Sequence, residues 1–477
     1  MISTNLLAMM QRAVYKQRIL PYQLFLEGDG MMEGRKMNYK EAPYTSFHKR
    51  LYMVIVLGQV VCAYTIGIAG AAMTRAQVEM GFNTIWLGLL GAGTLIGLGG
   101  SLFIGNIADK IGRRLLLLWN MTVFTILSVL QLFTSNLVLL LALRVALGLC
   151  IAVEYAVGST LVQEWLPKSK ATLCLSQFLI YWTVGYVVSF AVGLVMENME
   201  IDYHLILATS ALLSIASGIL RLVQGISESP CWLASAGQIR EADELTAKKI
   251  GGEYHVFFEK TEEAEKVSMA ELFGPKYRNN TIVGGVFYAC QVFPYYGISI
   301  FLPILASELN MGSANASNIL YDVFCLAGAF VGCWLCNRIS RRAFLISTFY
   351  ISAAALAVMI LGQNMPLILT IVAFAAFAMT MSVAVVIDWP YPPELFDDRV
   401  RGTGVGIVIA FSRVGAALGT FLLPILVEQT GSYGALTVCM AVLIVGGITC
   451  QIMAPETSPK HLRGRTGTGG LSDERNR

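Results

Sequence analysis

Long uncharged hydrophobic stretches alternate with short charged segments along most of the chain. Three of them, 51–73, 85–107 and 115–134, contain no charged residue, and each approaches the roughly 20 apolar residues that a helix needs to cross a bilayer. Strands of a membrane barrel would instead alternate apolar and polar residues. The pattern therefore predicts an all-α membrane protein with twelve transmembrane helices, centred near residues 62, 96, 125, 150, 183, 214, 292, 326, 353, 377, 415 and 443.

Composition and charge placement add an orientation to this pattern. Only 14% of the residues are charged and 56% are hydrophobic, whereas soluble domains carry about a quarter charged residues. Thirty of the 34 Lys and Arg residues fall in segments that lie on one side if both termini are cytoplasmic, as the positive-inside rule requires. We therefore expect a multi-pass protein of the inner or plasma membrane. Its basic residues would face anionic lipid headgroups of the bilayer rather than nucleic acid.

An internal repeat divides the chain into two parts. The segment 109–114, Asp-Lys-Ile-Gly-Arg-Arg, recurs 228 positions later as Asn-Arg-Ile-Ser-Arg-Arg at 337–342, and Glu164 recurs 230 positions later as Glu394. Two pairs at nearly one offset predict two pseudo-symmetric six-helix halves. The expected divisions are a disordered cytoplasmic tail (1–44), an N-terminal half (45–224), a cytoplasmic central loop (225–280), a C-terminal half (281–455) and a second disordered cytoplasmic tail (456–477).

The repeated charges suggest a gate on the cytoplasmic side. Arginines after the second and eighth helices can pair with carboxylates at the ends of the fourth and tenth, while an aspartate at a helix N-terminus is favoured by the helix dipole. The alternative is that these arginines only follow the positive-inside rule. The predicted gate residues are Asp109, Arg113, Arg114, Glu164, Arg341, Arg342 and Glu394.

Several motifs in order resemble the major facilitator superfamily over residues 37–460, in particular its sugar-porter and organic-ion (metabolite:proton symporter) branches. They include Gly-x-x-x-Asp-Lys-x-Gly-Arg-Arg at 105–114, Glu-Ser-Pro-Cys-Trp-Leu at 228–233 and Pro-Glu-Thr at 455–457. The helix-ten motif Trp-x-x-x-x-Glu at 389–394 is followed by Arg401, which the resemblance adds to the cytoplasmic gate. The resemblance implies alternating access around a site between the halves. Thr65 stands where proton-coupled relatives often carry an aspartate.

Ionisable residues inside the membrane are candidates for function because burying them is costly. Arg413 lies near the bilayer centre of the eleventh helix, where it could bind a substrate carboxylate or pair with Asp388 or Asp322. Glu154, in the middle of the fourth helix, is the leading site for a coupling proton, with Asp322 and Asp388 as secondary ones. A pair between Glu154 and Arg144 is disfavoured, since ten residues place them about 15 Å apart along one helix.

The seventh helix supplies groups suited to a solute pocket. Gln291 can hydrogen-bond a hydroxyl or carboxylate, whereas Tyr295 and Tyr296 can pack against a ring, although aromatic clusters more often serve packing. These residues and Arg413 form the predicted substrate site.

The leading functional hypothesis is proton-coupled secondary transport of a small organic solute, in particular an organic or sugar acid. A neutral sugar uniporter or symporter is one alternative, and a sensor that binds substrate without moving it is another. The sequence has no Gly-x-x-x-x-Gly-Lys-Ser/Thr loop for ATP, and its four histidines are scattered. We therefore expect a monomer that is not an enzyme and uses no cofactor or metal.

Overall fold

The structure is a computed structural model that describes residues 37–257, 269–302, 304–305, 309, 314–336, 338–362, 366–388, 390–397 and 400–458. We number the membrane-spanning helices α1 to α12 in chain order. They are α1 (Ser46–Met80), α2 (Thr84–Leu98 with Ser101–Ile111), α3 (Arg113–Leu130), α4 (Leu137–Val153, a π-helical turn Glu154–Gly158 and Ser159–Trp165), α5 (Lys168–Asn198), α6 (Tyr203–Gln224), α7 (Arg278–Ile300), α8 (Ala314–Cys336), α9 (Arg341–Leu361), α10 (Leu367–Val385 with the 3-10 turn Val386–Asp388) and Arg401–Met453, which comprises α11 and α12.

Twelve spans follow from these helices. Within the described residues, ten helices are long and apolar enough to cross a membrane, the last being 51 residues long. Gly431, with φ of 69° in the left-handed region, divides that helix into α11 (401–430) and α12 (432–453). The 23-residue α7 supplies the twelfth span, since it reaches about 35 Å at 1.5 Å per residue. The sequence-based helix count is confirmed.

Polar side chains at the boundaries explain where several helices begin. Asn83, Asn136 and Ser340 each accept a backbone N–H of the first turn, at α2, α4 and α9. Such caps satisfy N–H groups that have no partner inside the helix.

Helix packing repeats between the two halves. In the N-terminal half α1 packs on α5 and α6, α2 on α4, and α3 on α6. In the C-terminal half α7 packs on α11 and α12, α8 on α10, and α9 on α12. Each pair becomes its counterpart when six is added to the helix number. The halves meet where α2 packs on α11 and α5 packs on α8, which is again a symmetric pairing. The two pseudo-symmetric six-helix halves predicted from the repeat are therefore confirmed.

Close backbone contacts join the halves on the face away from the termini. A Cβ atom at Gly70 of α1 would collide with the carbonyl oxygen of Ile300, and one at Gly88 of α2 would collide with that of Phe421. Glycine is required at both positions because the partner backbone occupies the side-chain space. We refer to these two contacts as the glycine seam.

Large apolar side chains cover the outside of the bundle. Phe103, Trp119, Leu212 and Leu361 are between 59% and 79% exposed, whereas Glu154, Arg221 and Arg144 are at most 1% exposed. A soluble protein rarely exposes so much apolar surface in one belt. The arrangement matches a protein that faces lipid and places its charges inside.

The segment before α1 corrects one expectation. Residues 37–44 were expected to be part of a disordered tail, but Met37–Asn38 pairs in parallel with Tyr254–His255 of the central loop. The side chain of Tyr39 is buried and its hydroxyl donates to the carbonyl oxygen of Glu164 at 2.8 Å. This buried ring is the physical reason that the segment is ordered. The predicted tail 456–477 is likewise ordered at its start, because Glu456 accepts the backbone N–H groups of Arg341 and Arg342. The rest of the predicted disorder, at 1–36 and 459–477, lies outside the described residues.

The central loop contains short elements of its own. They are Pro230–Ser235, Ile239–Lys249, the strand Tyr254–His255 and Met269–Leu272, and a further short helix, Tyr391–Glu394, follows α10.

Candidate functional site

The N-terminal half buries an ion pair in which every carboxylate oxygen is bonded. Arg221 of α6 donates from Nη1 and Nη2 to Oε1 and Oε2 of Glu154, each at 2.7 Å. Asn120 of α3 donates to Oε1 at 2.7 Å, and Arg221 Nη1 also donates to the carbonyl oxygen of Leu117 at 2.6 Å. Planar two-point contact of this kind is the strongest arginine–carboxylate geometry. The pair ties α3, α4 and α6 together.

The sequence spacing disfavoured a pair between Arg144 and Glu154, and in the structure Arg144 contacts α2 instead. Its Nε donates to the carbonyl oxygen of Leu90 at 2.5 Å and its Nη2 to the hydroxyl of Thr94 at 3.5 Å. Arg144 thus joins α2 to α4. The actual partner, Arg221, was not among the predicted site residues. A coupling role for Glu154 stays a prediction.

The C-terminal half brings together three polar groups that lack such partners. Asp388, at the end of α10, lies within electrostatic range of Gln291 of α7 and Arg413 of α11. Across the part of the chain that the structure describes, Gln291 Nε2, Asp388 Oδ1 and Arg413 Nε are buried and form no hydrogen bond. Buried polar atoms are normally satisfied. We therefore treat these three residues as one candidate site, and a role in solute binding stays a prediction.

The N-terminal half contributes an aromatic ring to the same place. The guanidinium carbon of Arg413 lies 5.8 Å from the ring centre of Tyr155 on α4, within reach of a cation–π contact. The hydroxyl of Tyr155 accepts a hydrogen bond from the indole N–H of Trp182 on α5. Sequence analysis missed Tyr155 and Trp182, because nothing in their spacing distinguishes them from other aromatic residues of apolar helices.

Further aromatic contacts connect the halves around this point. Trp182 meets Tyr296 edge-on with ring centres 6.4 Å apart, and Tyr186 stacks with Tyr295 at 6.3 Å. Tyr186 also shares a hydrogen bond of 2.7 Å with the hydroxyl of Ser299. The predicted substrate contacts Tyr295 and Tyr296 thus lie between the halves, where they pack against other rings. Whether they also touch substrate remains a prediction.

Asp322 of α8 forms a second isolated carboxyl group. It is 7% exposed and its Oδ1 has no hydrogen-bond donor among the described residues. Its electrostatic neighbours include Tyr186 of α5 and Cys325 of its own helix. Thr65 contributes no titratable group, and its hydroxyl donates to the carbonyl oxygen of Val61.

The predicted cytoplasmic gate is built twice, once in each half. Arg113 Nη2 lies 2.8 Å from Asp109 Oδ1 and 3.4 Å from Glu164 Oε1. Arg341 contacts both oxygens of Glu394 at 3.3 Å. Each arginine also donates to the end of the preceding helix, at the carbonyl oxygens of Ala108 and Cys336. The repeated arginines therefore pair with glutamates of their own half.

The other gate residues make different contacts. Arg342 Nη2 donates to the carbonyl oxygen of Gln451 at 2.6 Å, and Arg401 Nε donates to that of Pro393 at 3.1 Å. Arg114 is exposed and contributes its backbone N–H. A gating role for the whole set is still a prediction.

Two carboxylates of this network were missed as site residues. Glu228 accepts the backbone N–H groups of Arg113 and Arg114 at 2.9 and 3.1 Å. Glu456 accepts those of Arg341 and Arg342 at 3.0 and 3.3 Å. Each glutamate thus caps the helix that follows the repeated loop. Their separation of 228 positions equals the offset of that loop and could have identified them.

Comparison with known proteins agrees with this architecture. The family of sugar (and other) transporters matches residues 51–465. The chain belongs to this family. It is therefore a multi-pass membrane transporter of the major facilitator superfamily, a family of transporters rather than of enzymes.

Individual relatives cover nearly the whole transporter. It is 31% identical to the inner membrane metabolite transport protein YgcS of Escherichia coli K12, covering 91% of this chain and 97% of YgcS. It is 24% identical to the niacin transporter NiaP of Acinetobacter baylyi, covering 88% and 97%. The xylose transporter XylE from E. coli, in a partially occluded inward-open conformation, matches with a TM-score of 0.71 at 15% identity over 87% of this chain and 99% of XylE. This last likeness supports the fold.

Proposed function

We propose that this transporter moves a small organic anion, in particular an organic or sugar acid, across the inner membrane by alternating access, together with a proton. The observation that carries the proposal is the group formed by Arg413, Asp388 and Gln291. All three have a buried polar atom without a hydrogen bond among the described residues, and Arg413 lies within cation–π distance of Tyr155 of the opposite half. A site that spans the two halves is where alternating access requires the substrate.

Arg413 is assigned to the substrate carboxylate. A guanidinium matches a carboxylate in a planar, two-point contact, and Arg413 forms no ion pair with another described residue. Gln291 Nε2 could donate to the same carboxylate or to a hydroxyl of the substrate. A carboxylate bound there would supply the acceptors that Arg413 and Gln291 lack.

Asp388 is assigned to the proton, with Asp322 as the second choice and Glu154 last. Oδ1 of either aspartate has no donor, so a proton can be added without breaking a hydrogen bond. Both oxygens of Glu154 are bonded to Arg221, and protonating either would disrupt that pair. A proton that accompanies a monoanion makes the moving load neutral, which avoids the cost of about 2.3 kcal/mol per charge for each 100 mV.

The relatives support this reading to different degrees. YgcS is named an inner membrane protein, which supports the proposed location. We place both termini in the cytoplasm because of the distribution of basic residues. NiaP is named a niacin transporter, and niacin is a carboxylic acid. The myo-inositol transporter IolT of Bacillus subtilis, 22% identical, favours the second candidate function, transport of a neutral polyol or sugar.

Uptake into proteoliposomes tests the proposal. Purified protein would be given labelled sugars, sugar acids, aromatic acids and quaternary amines, with and without an inside-alkaline pH gradient. We expect an acid to accumulate only when the gradient is present. Equilibration of a neutral sugar regardless of pH would instead identify a uniporter, and binding without accumulation would identify a sensor.

The Asp388→Asn variant tests the proton site, with Asp322→Asn as its matched comparison. Asp388→Asn should retain exchange of preloaded substrate and lose accumulation driven by pH, because the amide cannot release a proton. Asp322→Asn should keep both. The reverse result would move the proton to Asp322, and normal accumulation in both variants would remove both assignments.

A further inference from the structure

A cavity of about 240 Å³ lies at the end of the bundle that carries the termini. Its lining comes from three elements: the first turns of α1, the end of α6, and the central-loop helix Ile239–Lys249. The lining residues are Phe47, Arg50, Leu51, Gln224, Gly225, Lys248 and Lys249. None of the gate or substrate-site residues described above, Glu228 included, lines this cavity.

The charge of this cavity is entirely positive. Arg50, Lys248 and Lys249 line it, and no carboxylate does. The only side-chain hydrogen bond of Arg50 in the described structure runs from Nε to the carbonyl oxygen of Ser46, at 3.3 Å. Neither lysine forms an ion pair with any residue that the structure describes; Lys249 Nζ lies 5.5 Å from the ring centre of Phe47. Three cations that converge without a counter-charge favour an anion between them.

The position of the cavity indicates which anion. Leu222 and Val223, in the last turn of α6, are 70% and 76% exposed and directly precede the lining residue Gln224. Apolar side chains so exposed at the end of a membrane helix face lipid. The cavity therefore opens where α6 leaves the hydrocarbon, at the depth of lipid phosphates.

We propose that this cavity binds the phosphodiester headgroup of an anionic phospholipid of the cytoplasmic leaflet. The bound phosphate would bridge α1 and α6 to the helix Ile239–Lys249 and so hold the central loop against the N-terminal half. The site rests on the orientation given under Proposed function, with termini in the cytoplasm, but it is independent of the substrate and of proton coupling.

The test is a titration of the purified full-length protein with short-chain phosphatidylglycerol, followed by its thermal unfolding temperature. Short-chain phosphatidylcholine and inorganic phosphate serve as the other two arms. We expect phosphatidylglycerol to raise the unfolding temperature at concentrations where the other two do not. A full shift with inorganic phosphate would overturn the lipid assignment in favour of a free anion.

The variant Lys248→Gln/Lys249→Gln identifies the site. Each basic residue near a membrane surface contributes roughly fivefold in affinity for anionic lipid, so the double variant should weaken phosphatidylglycerol binding about thirtyfold. Lys248→Arg/Lys249→Arg should restore it. The matched control is Lys168→Gln/Lys170→Gln, which removes two exposed lysines outside the cavity and should bind as the parent does.

Equal loss of binding in the control and in the cavity variant would mean that net charge alone attracts the lipid, and it would overturn the proposal. A protein that moves no solute in the proteoliposome assay but passes this titration would contradict the proposed function and leave the lipid site intact.

Discussion

The two halves of the transporter treat their buried charges in opposite ways. In the N-terminal half, Glu154 and Arg221 are fully buried and bonded to each other at two points. In the C-terminal half, Asp388 and Arg413 form no ion pair within the described structure, and each keeps a buried polar atom that has no hydrogen bond there. The two halves share a helix arrangement, so this difference arises from their side chains.

We interpret the N-terminal pair as structural and, under the proposed function, the C-terminal group as a ligand site. Arg221 Nε has no hydrogen bond among the described residues, but both oxygens of Glu154 are paired with the guanidinium. A buried pair of this kind resists protonation and exchange, because either would leave an unpaired charge in the interior. Unbonded groups in a protein interior are costly, and a bound solute would remove that cost. We therefore expect substitutions in the N-terminal pair to affect folding, and substitutions in the C-terminal group to affect transport.

The largest expected effect comes from Arg221→Gln. It leaves Glu154 buried without its cation, which should reduce the free energy of unfolding by about 3–5 kcal/mol. The yield of folded protein and its unfolding temperature in detergent measure this loss. The double variant Glu154→Gln/Arg221→Gln, which removes both charges, should recover much of it. If Glu154→Gln alone folds normally and loses only accumulation driven by pH, Glu154 carries the proton and the comparison of the halves fails.

Arg413→Gln should come next, with its effect on transport instead. Charge-assisted hydrogen bonds contribute about 1.5–3 kcal/mol, so uptake of the anion at low concentration should fall roughly 10- to 150-fold. The unfolding temperature should change little, because Arg413 supports no ion pair among the described residues. Arg413→Lys serves as the control, because it keeps the charge but loses the planar two-point geometry of the guanidinium. Its affinity for the anion should lie between those of the parent protein and of Arg413→Gln. Unfolding of the glutamine variant would make Arg413 a structural residue like Arg221.

Tyr155→Leu tests whether the N-terminal half contributes to the site through its ring. Loss of a cation–π contact is worth about 0.5–2 kcal/mol, so substrate affinity should fall a few-fold to about thirtyfold. Tyr64→Leu is a matched control, since that hydroxyl bonds to Thr209 inside the N-terminal half. An equal loss of affinity in both variants would point to general loosening of the half.

The smallest effect on stability is expected at the two helix caps, Glu228 and Glu456, which are equivalent in the two halves. Glu228→Gln and Glu456→Gln each remove a charge at a helix N-terminus, which is typically worth about 0.3–1 kcal/mol at an exposed site. The unfolding temperatures of the two variants should therefore fall by similar, small amounts. A large fall in one variant alone would show that the two caps are not equivalent.

The Glu456 cap also predicts a pH dependence. Burial raises the pKa of Glu456, but hydrogen bonds from Ser458, Ser340 and the backbone of Arg341 and Arg342 outweigh it, and the pKa is lower than the usual 4.5. A lowered pKa stabilises the folded state above pH 4.5, and this stabilisation is lost as the pH falls through the lowered value. The effect of Glu456→Gln on unfolding should accordingly shrink in strong acid.

The spans were predictable from sequence because lipid leaves the backbone few choices. A segment in hydrocarbon must satisfy all its backbone groups internally, so the length of an uncharged stretch nearly determines the element. Residues 37–44 were predicted incorrectly because no such local constraint acts on them. Their order comes from tertiary contacts of Tyr39, and local composition does not report them.

The charged partners were harder to predict. Glu154 and Arg221 are 67 positions apart, and no helical periodicity relates residues on different helices. Glu228 and Glu456 could have been predicted from the repeat. The loops that they cap are separated by 228 positions, and the same offset relates the two glutamates. Tyr155 contacts Arg413 because the two halves pack together. No local pattern in a single sequence reports that packing.

The glycine seam has a consequence for how such a protein can diversify. Its two contacts at Gly70 and Gly88 are made against main-chain oxygens, so the closure they form on that face depends on backbone shape and on two missing side chains. Residues such as Gln291, Tyr155 and Arg413 take no part in those contacts. Selection for a new cargo can therefore alter the site one residue at a time while this part of the barrier against leakage is inherited unchanged.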